Sequence, residues 1–402
     1  MRILFVNRWV GSHRGGTETH IRELALSLSR RGHQVHILTT RGKELEPYRS
    51  RIRIWYVDRA LGEEYSSGKF VRIRATIFLW RSFLKMLELQ KQGHTFDILS
   101  IHFALEAYFA YAIRFLFRIP FVFVFEGYSR IEGIVGGGAD LNIAISNDIT
   151  EKCAKAHGYR PTMIPPGVDL GKFKPSHGTP RLRRAYCNED EKLVLSVCQL
   201  ISRKDIPTLI DAAAIVRKSS GTIKFVIVGD KGPERNTITR KIRDLSLESS
   251  VFLVDSADYD QLPQYYQAAD LFVLPTLYEG FGIVFIEAMA SGIPIVSTTA
   301  RAVPEVVGDA GLLVQPRDPI ALAEKILALL QNPSLIATLR ERGLSRAKRY
   351  DWEGIASRYE RLMMSTSTLA RDHATGVHAL SLMRAVSRSA IELLPWRTHP
   401  PS

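Results

Sequence analysis

The chain has 402 residues, 46% of them hydrophobic and 24% charged. It is too long for one hydrophobic core and too ordinary in composition for a disordered or fibrous protein, so two globular domains of roughly 150 to 200 residues are expected. Lys and Arg outnumber acids 54 to 41, for a net charge of +13, which favours polyanionic partners (phosphate groups, an anionic membrane surface or nucleic acid) without choosing among them.

The opening MRILFVNRWV lacks the basic and long apolar regions of a secretion signal and reads as a strand over 2–7. A glycine loop, a helix and a strand over 34–40 complete a βαβ unit. Ile21, Leu24, Ala25 and Leu28 form the helix stripe, Thr17 or Thr19 is available to cap it, and Gly32 stops it. Further strands are predicted over 52–57, 98–102, 121–125 and 141–145, an alternation that implies a doubly wound parallel sheet.

Between them, residues 70–91 mix basic side chains with Phe70, Ile77, Phe78, Leu79, Trp80, Phe83 and Leu84. Two readings stand: a basic amphipathic helix resting on acidic lipid, or a domain helix with a solvated charged face. The apolar stretch 104–125 is interrupted by Glu106, Arg114, Arg118 and Pro120, so it is read as a buried helix followed by a buried strand rather than a membrane span. The Pro- and Gly-rich segment 161–180 is the expected hinge, after which the βα pattern restarts with LVLSVCQL, FVIVGD, VFLVD, LFVLPT and PIVSTT. The domains are drawn at 1–168 and 169–348, with a helix over 349–364 returning toward the first domain. The tail 365–402, with its apolar stretch 377–394, is read as loose, as a surface-seeking amphipathic helix or as a partner-binding helix. Two such halves would face each other across a cleft, and the active site is expected there. Cys153, Cys187 and Cys198 are widely spaced, with no C-x-x-C pair, which argues against a disulfide framework or zinc site and for a reducing cytosol.

Two places carry chemistry. In GSHRGGTE, Gly15 and Gly16 open the first helix, where backbone N–H groups and the positive helix end suit a phosphate, although a tight turn would use the same glycines. Gly11, Gly15 and Gly16 do not match the G-x-G-x-x-G dinucleotide fingerprint. In LPTLYEGFGIVFIEAMASGIPIVS a strand ends near Pro275 and a helix begins near Ile283. Glu279 in the loop and Glu287 one turn into the helix can accept hydrogen bonds from sugar hydroxyls, while the amides of Phe281, Gly282 and Ile283 receive a diphosphate. Buried structural acids are the other reading of that pair.

These segments, with DILSIHF, NIAISNDITEKCAKAHGYRPTMIPPGVDLGKFKP, LISRKDIPTLIDAA and PEVVGDAGLLVQPRDPIALAEKI in the same order, resemble the retaining glycosyltransferases with the GT-B fold and the E-x7-E motif (glycosyltransferase family 4, glycosyl transferases group 1), over about residues 1–364. The resemblance implies an α/β GT-B fold of two Rossmann-like doubly wound domains. It also implies transfer of a hexose-type sugar from a UDP- or GDP-sugar to a saccharide or lipid-linked acceptor with retention of configuration, in polysaccharide or glycolipid biosynthesis. It assigns Glu287 to the ribose, Glu279 to donor-sugar hydroxyls, Phe281, Gly282 and Ile283 to the sugar and phosphates, Lys204 to the diphosphate, and His102 to the neighbourhood of the reacting carbon. A cofactor or metal is not expected, nor a protein nucleophile, and the setting is cytoplasmic, with peripheral contact to an anionic membrane as a further expectation and no role for nucleic acid. The chain departs from the family pattern at three points. Gln199 replaces an arginine, leaving neighbouring Arg203 to substitute, Asp205 replaces a glycine, and Glu126 stands where many members carry histidine. A non-catalytic nucleotide-sugar-binding homologue serving as a partner subunit is the alternative that these departures suggest.

Overall fold

Runs such as ILFV and FVFVF suit a strand covered on both faces by helices. In the computed structural model, which describes residues 1–13, 15–59, 69–176, 180–229, 232–255 and 257–372, they lie at the centre of a parallel sheet. The chain divides into one unit of Met1–Pro165 plus the residues from Ile355 onward, and a second of Pro166–Gly354. The apolar tail stretch 377–394, read as loose or helical, lies outside the described residues, as do Asp230 and Lys231 of the segment FVIVGDKGPE.

Unit 1 holds β1 (Arg2–Val6), β2 (Gln34–Arg41), β3 (Arg53–Arg59), β4 (Ile98–Ile101), β5 (Phe121–Phe125), β6 (Leu141–Ala144) and β7 (Thr162–Met163) in the order β3-β2-β1-β4-β5-β6-β7. Unit 2 holds β8 (Lys192–Val197), β9 (Ile223–Val228), β10 (Val251–Val254), β11 (Leu271–Leu274), β12 (Ile295–Thr298) and β13 (Gly311–Val314) in the order β10-β9-β8-β11-β12-β13. All pairings are parallel. Each order reverses once, between β1 and β4 and between β8 and β11, and the crevice beyond the carboxyl ends at such a reversal is where open α/β sheets bind ligands.

The Gly16–Arg30 helix buries the predicted stripe completely, and Gly32 ends it at φ +88°. Neither Thr17 nor Thr19 caps it: the N-cap is Gly15, in extended backbone and without a side-chain bond. The Asn7 carboxamide instead shapes the approach, its oxygen accepting from the N–H groups of Trp9 and Val10 at 2.8 and 2.7 Å. The stretch 104–125 folds as the Ala104–Phe117 helix and then β5, and no single helix among the described residues is long and apolar enough to cross a membrane.

The last helix, Trp352–Asp372, runs beyond its expected end at 364. From Ile355 onward it belongs to unit 1, where Glu360 bonds Arg31 and His33, Arg358 donates to the Met163 carbonyl, and Tyr359 and Met363 are fully buried. All three cysteines are buried, and none is in a disulfide.

Candidate functional site

The loop after β8 passes through Cys198 and half-buried Gln199, then closes a tight 3-10 turn over Ser202–Lys204. The loop after β11 is tied to that turn through one carbonyl: Arg203 O accepts from the Leu277 N–H at 2.8 Å and from the Thr276 hydroxyl at 3.0 Å. This stitching sets Lys204 beside Glu279, with Nζ 2.5 Å from Oε1 and both side chains buried. The two residues are 75 apart in the chain. Arg203 is exposed and lines a hollow of about 440 Å³ with Ser202, Asp205, Pro207, Glu234, Leu277 and Arg317, so the adjacent basic residues are employed differently.

Beyond Glu279 the chain turns into the Ile283–Ala290 helix through Gly282 at φ +93°. A Cβ there would lie 2.6 Å from the Phe285 ring, so both conformation and space demand glycine. Phe281 is buried against the Tyr350 ring at 5.5 Å. The N–H groups of Phe281, Gly282 and Ile283 donate to no group among the described residues, as the first turn of a helix leaves them. Glu287, buried one turn further on, accepts from the Tyr266 hydroxyl at 2.8 Å, and burial together with that carboxylate pushes the Tyr266 phenol pKa well up. A lysine and three amides at a positive helix end are groups that can donate to an anion, and the two buried carboxylates are groups that can accept from hydroxyls.

At the reversal in unit 1, His102 follows β4 directly and Glu126 follows β5 directly. The expected departure at Glu126 proves to be the centre of a network. Its Oε1 accepts from Nδ1 of both His20 (2.7 Å) and His102 (2.8 Å), while Ser100 Oγ lies 3.1 Å from His102 Nε2 and the Tyr359 hydroxyl lies 3.4 Å from His20 Nε2. Burial alone would raise the Glu126 carboxyl, but the charge and hydrogen bonds of the two imidazoles outweigh it and hold the pKa at about 2. Burial lowers the His102 pKa, and Glu126 offsets part of that. With the carboxylate acting only as acceptor, each Nδ1 is a donor, so His102 has both ring nitrogens engaged inside unit 1. His20, His102 and Glu126 also offer three potential metal ligands within 4.8 Å of one another, but their own hydrogen bonds already satisfy the set.

Gly15 and Gly16 sit beyond β1 at the same reversal. A Cβ at Gly16 would meet nothing within 4 Å, so neither packing nor backbone requires that glycine, and the N–H groups of Gly16 and Thr17 donate to no backbone group among the described residues. A hollow of about 570 Å³ in unit 1, lined by His33, His36, Arg49, Arg51 and Arg53, lies where β2 and β3 begin, at the opposite end of the sheet. Sequence reading missed His20, Tyr266 and Tyr359. Only His20 had a local signal, one helical turn past Gly16.

Residues 14–172 match the family described as Glycosyltransferase Family 4, and residues 181–346 match Glycosyl transferases group 1. The O-antigen chain mannosyltransferase B of Escherichia coli is 34% identical over 152 residues, covering 38% of this chain and 40% of the relative. The GDP-mannose-dependent alpha-(1-6)-phosphatidylinositol monomannoside mannosyltransferase of Mycobacterium tuberculosis is 30% identical over 208 residues, covering 49% and 54%. The matched part of the chain thus spans about half the length of these curated relatives. Among solved structures, HepE of Anabaena in complex with UDP and glucose superposes with a TM-score of 0.75 at 21% identity, covering 91% of this chain and 100% of that one. With both halves matched and each built on its own parallel sheet, the chain belongs to the glycosyltransferases of the GT-B fold.

Proposed function

We propose that the chain transfers a hexose-type sugar from a UDP- or GDP-sugar to a saccharide or lipid-linked acceptor with retention of anomeric configuration. The observation that carries this reading is the cluster at the strand-order reversal of unit 2, where Lys204 and Glu279 pair beside three amides at the start of the helix bearing Glu287. In the proposed complex the diphosphate lies on the amides of Phe281, Gly282 and Ile283 and draws the Lys204 ammonium, Glu287 accepts from the ribose hydroxyls, and Glu279 accepts from hydroxyls of the sugar. The bond from the anomeric carbon to the β-phosphate oxygen breaks, and the acceptor oxygen bonds to that carbon on the same face. The acceptor proton passes to the departing phosphate oxygen, so no protein nucleophile or free imidazole is needed. Negative charge grows on the leaving diphosphate, where Lys204 and the helix start are worth most. The mannosyl and UDP-linked proteins named above support a nucleotide-sugar donor. Three buried cysteines outside any disulfide support a reducing, cytoplasmic setting.

Thermal unfolding in the presence of UDP, GDP and a panel of their sugars tests the donor site. One nucleotide series at about 100 times its dissociation constant should add roughly 2.7 kcal/mol, and Glu287→Ala should abolish the shift. Silence across the whole panel would overturn the reading. A shift without turnover on any acceptor would favour the non-catalytic partner, for which Gln199, in the loop after β8, and Glu126 are the motivating residues.

A further inference from the structure

The helix Lys69–Lys91 is apolar on two opposite faces. Ala75, Phe78, Ser82, Met86 and Leu89 recur at three- and four-residue steps and are buried in unit 1. Ile73, Ile77, Trp80 and Leu84 recur at the same steps half a turn away, and all are exposed, Trp80 at 62%. The Ala104–Phe117 helix packs against this one and adds exposed Phe115 (64%) and Leu116. Soluble surfaces seldom expose so many large side chains in register. The charge alongside is one-sided: the Lys69–Lys91 helix carries six Lys or Arg against one acid, Glu88, which is held by Lys85 at 2.9 Å. Arg74, Arg81 and Lys85 follow one flank of the exposed stripe, and Lys91 lies at its end.

We infer that this face docks on an anionic lipid surface, with Ile73, Ile77, Trp80 and Leu84 entering the boundary between headgroups and acyl chains and the basic flank lying over the headgroups. The charge decides between occupants. Two copies of this chain meeting on the face would bring two basic flanks together, whereas acidic lipid complements them. Trp suits this depth, with an apolar ring and an N–H that reaches the polar layer. The stripe belongs to the element that the sequence marked with two alternative readings, and its exposure favours the lipid one. Phe70, part of the segment as first read, has a side chain outside the described residues.

The test is flotation of the full chain with phosphatidylcholine vesicles, with and without phosphatidylglycerol, at low and high salt. Binding is expected only to vesicles containing phosphatidylglycerol, weakening as salt rises. The double change Ile77→Glu and Trp80→Glu should lower the partition coefficient about tenfold or more. Both side chains are exposed, so the variant should keep its melting temperature and the nucleotide-induced shift. That shift needs no lipid and flotation needs no nucleotide, so failure of one proposal leaves the other standing. Absence of binding to either vesicle, equal binding to both, or unchanged binding by the double variant would overturn the inference. So would sedimentation showing a dimer that the double variant converts to monomer.

Discussion

The Lys204 ammonium and the Glu279 carboxylate are held together away from water, and their attraction offsets much of the cost of burying two charges. Removing one partner strands the other. Lys204→Met is therefore expected to destabilise the ligand-free protein by about 3–5 kcal/mol, and Lys204→Met combined with Glu279→Gln by much less. Denaturant unfolding of the two single variants and the double variant measures this coupling, and additive losses would show that the pair is open to solvent. Asp205 explains a departure at the same scale. It lies at φ +49° and ψ +41°, the left-handed region that favours glycine. Aspartate is among the residues that tolerate this region, and here its carboxylate also accepts from the Thr208 hydroxyl at 2.8 Å.

The ends of β4 and β5 and the helix after β1 carry the histidine-carboxylate network, whose groups tie the stability of these elements to pH. Glu126, at about 2 in the fold against roughly 4.3 unfolded, contributes stability that is complete above the unfolded value and is lost as pH falls through about 4 toward 2. His102 is depressed by burial, and His36 is depressed to about 4 by burial and by Arg53. Both resist protonation in the fold, so acid favours the unfolded chain once pH drops below about 6.5. Both effects have the same sign: stability should decline in two stages, below about 6.5 and again below about 4. Glu126→Gln should lower stability at neutral pH and flatten the second stage, since the amide can accept at its oxygen but carries no charge. Unfolding midpoints recorded against pH for both proteins check this, and parallel curves would assign the acid response elsewhere.

At the scale of the molecule, unit 1 is completed by chain that arrives after all of unit 2 has been made. Ile355, Tyr359 and Met363 are buried there, and Glu360 and Arg358 add polar ties. Burying those three side chains is worth roughly 1.5–3 kcal/mol each, a large part of a typical stability of about 5–15 kcal/mol. A chain ending at Gly354 should therefore fail to fold unit 1 cooperatively, seen as rapid proteolysis of residues 1–165 and loss of its unfolding transition. Native-like protection of that region would show that its sheet is self-sufficient.

Much of this was legible locally. Strands β1, β5 and β11 and the helix opening at Ile283 follow from apolar runs, period and glycine placement, which act over neighbouring residues, and these alone determined that Glu279 and Glu287 fall at a strand-to-helix junction. The helix boundaries were less legible: Gly15, without a side-chain bond, rather than a threonine caps the first helix, and the last helix continues to Asp372 because unit 1 covers one side of it. Tertiary structure alone decided the partners. Lys204 meets Glu279 across 75 residues, His20 and His102 converge on Glu126, and Tyr266 reaches Glu287. The physical reason is topological: parallel strands that are adjacent in a sheet are joined through crossovers, so the loops gathered at one sheet end come from distant stretches of chain.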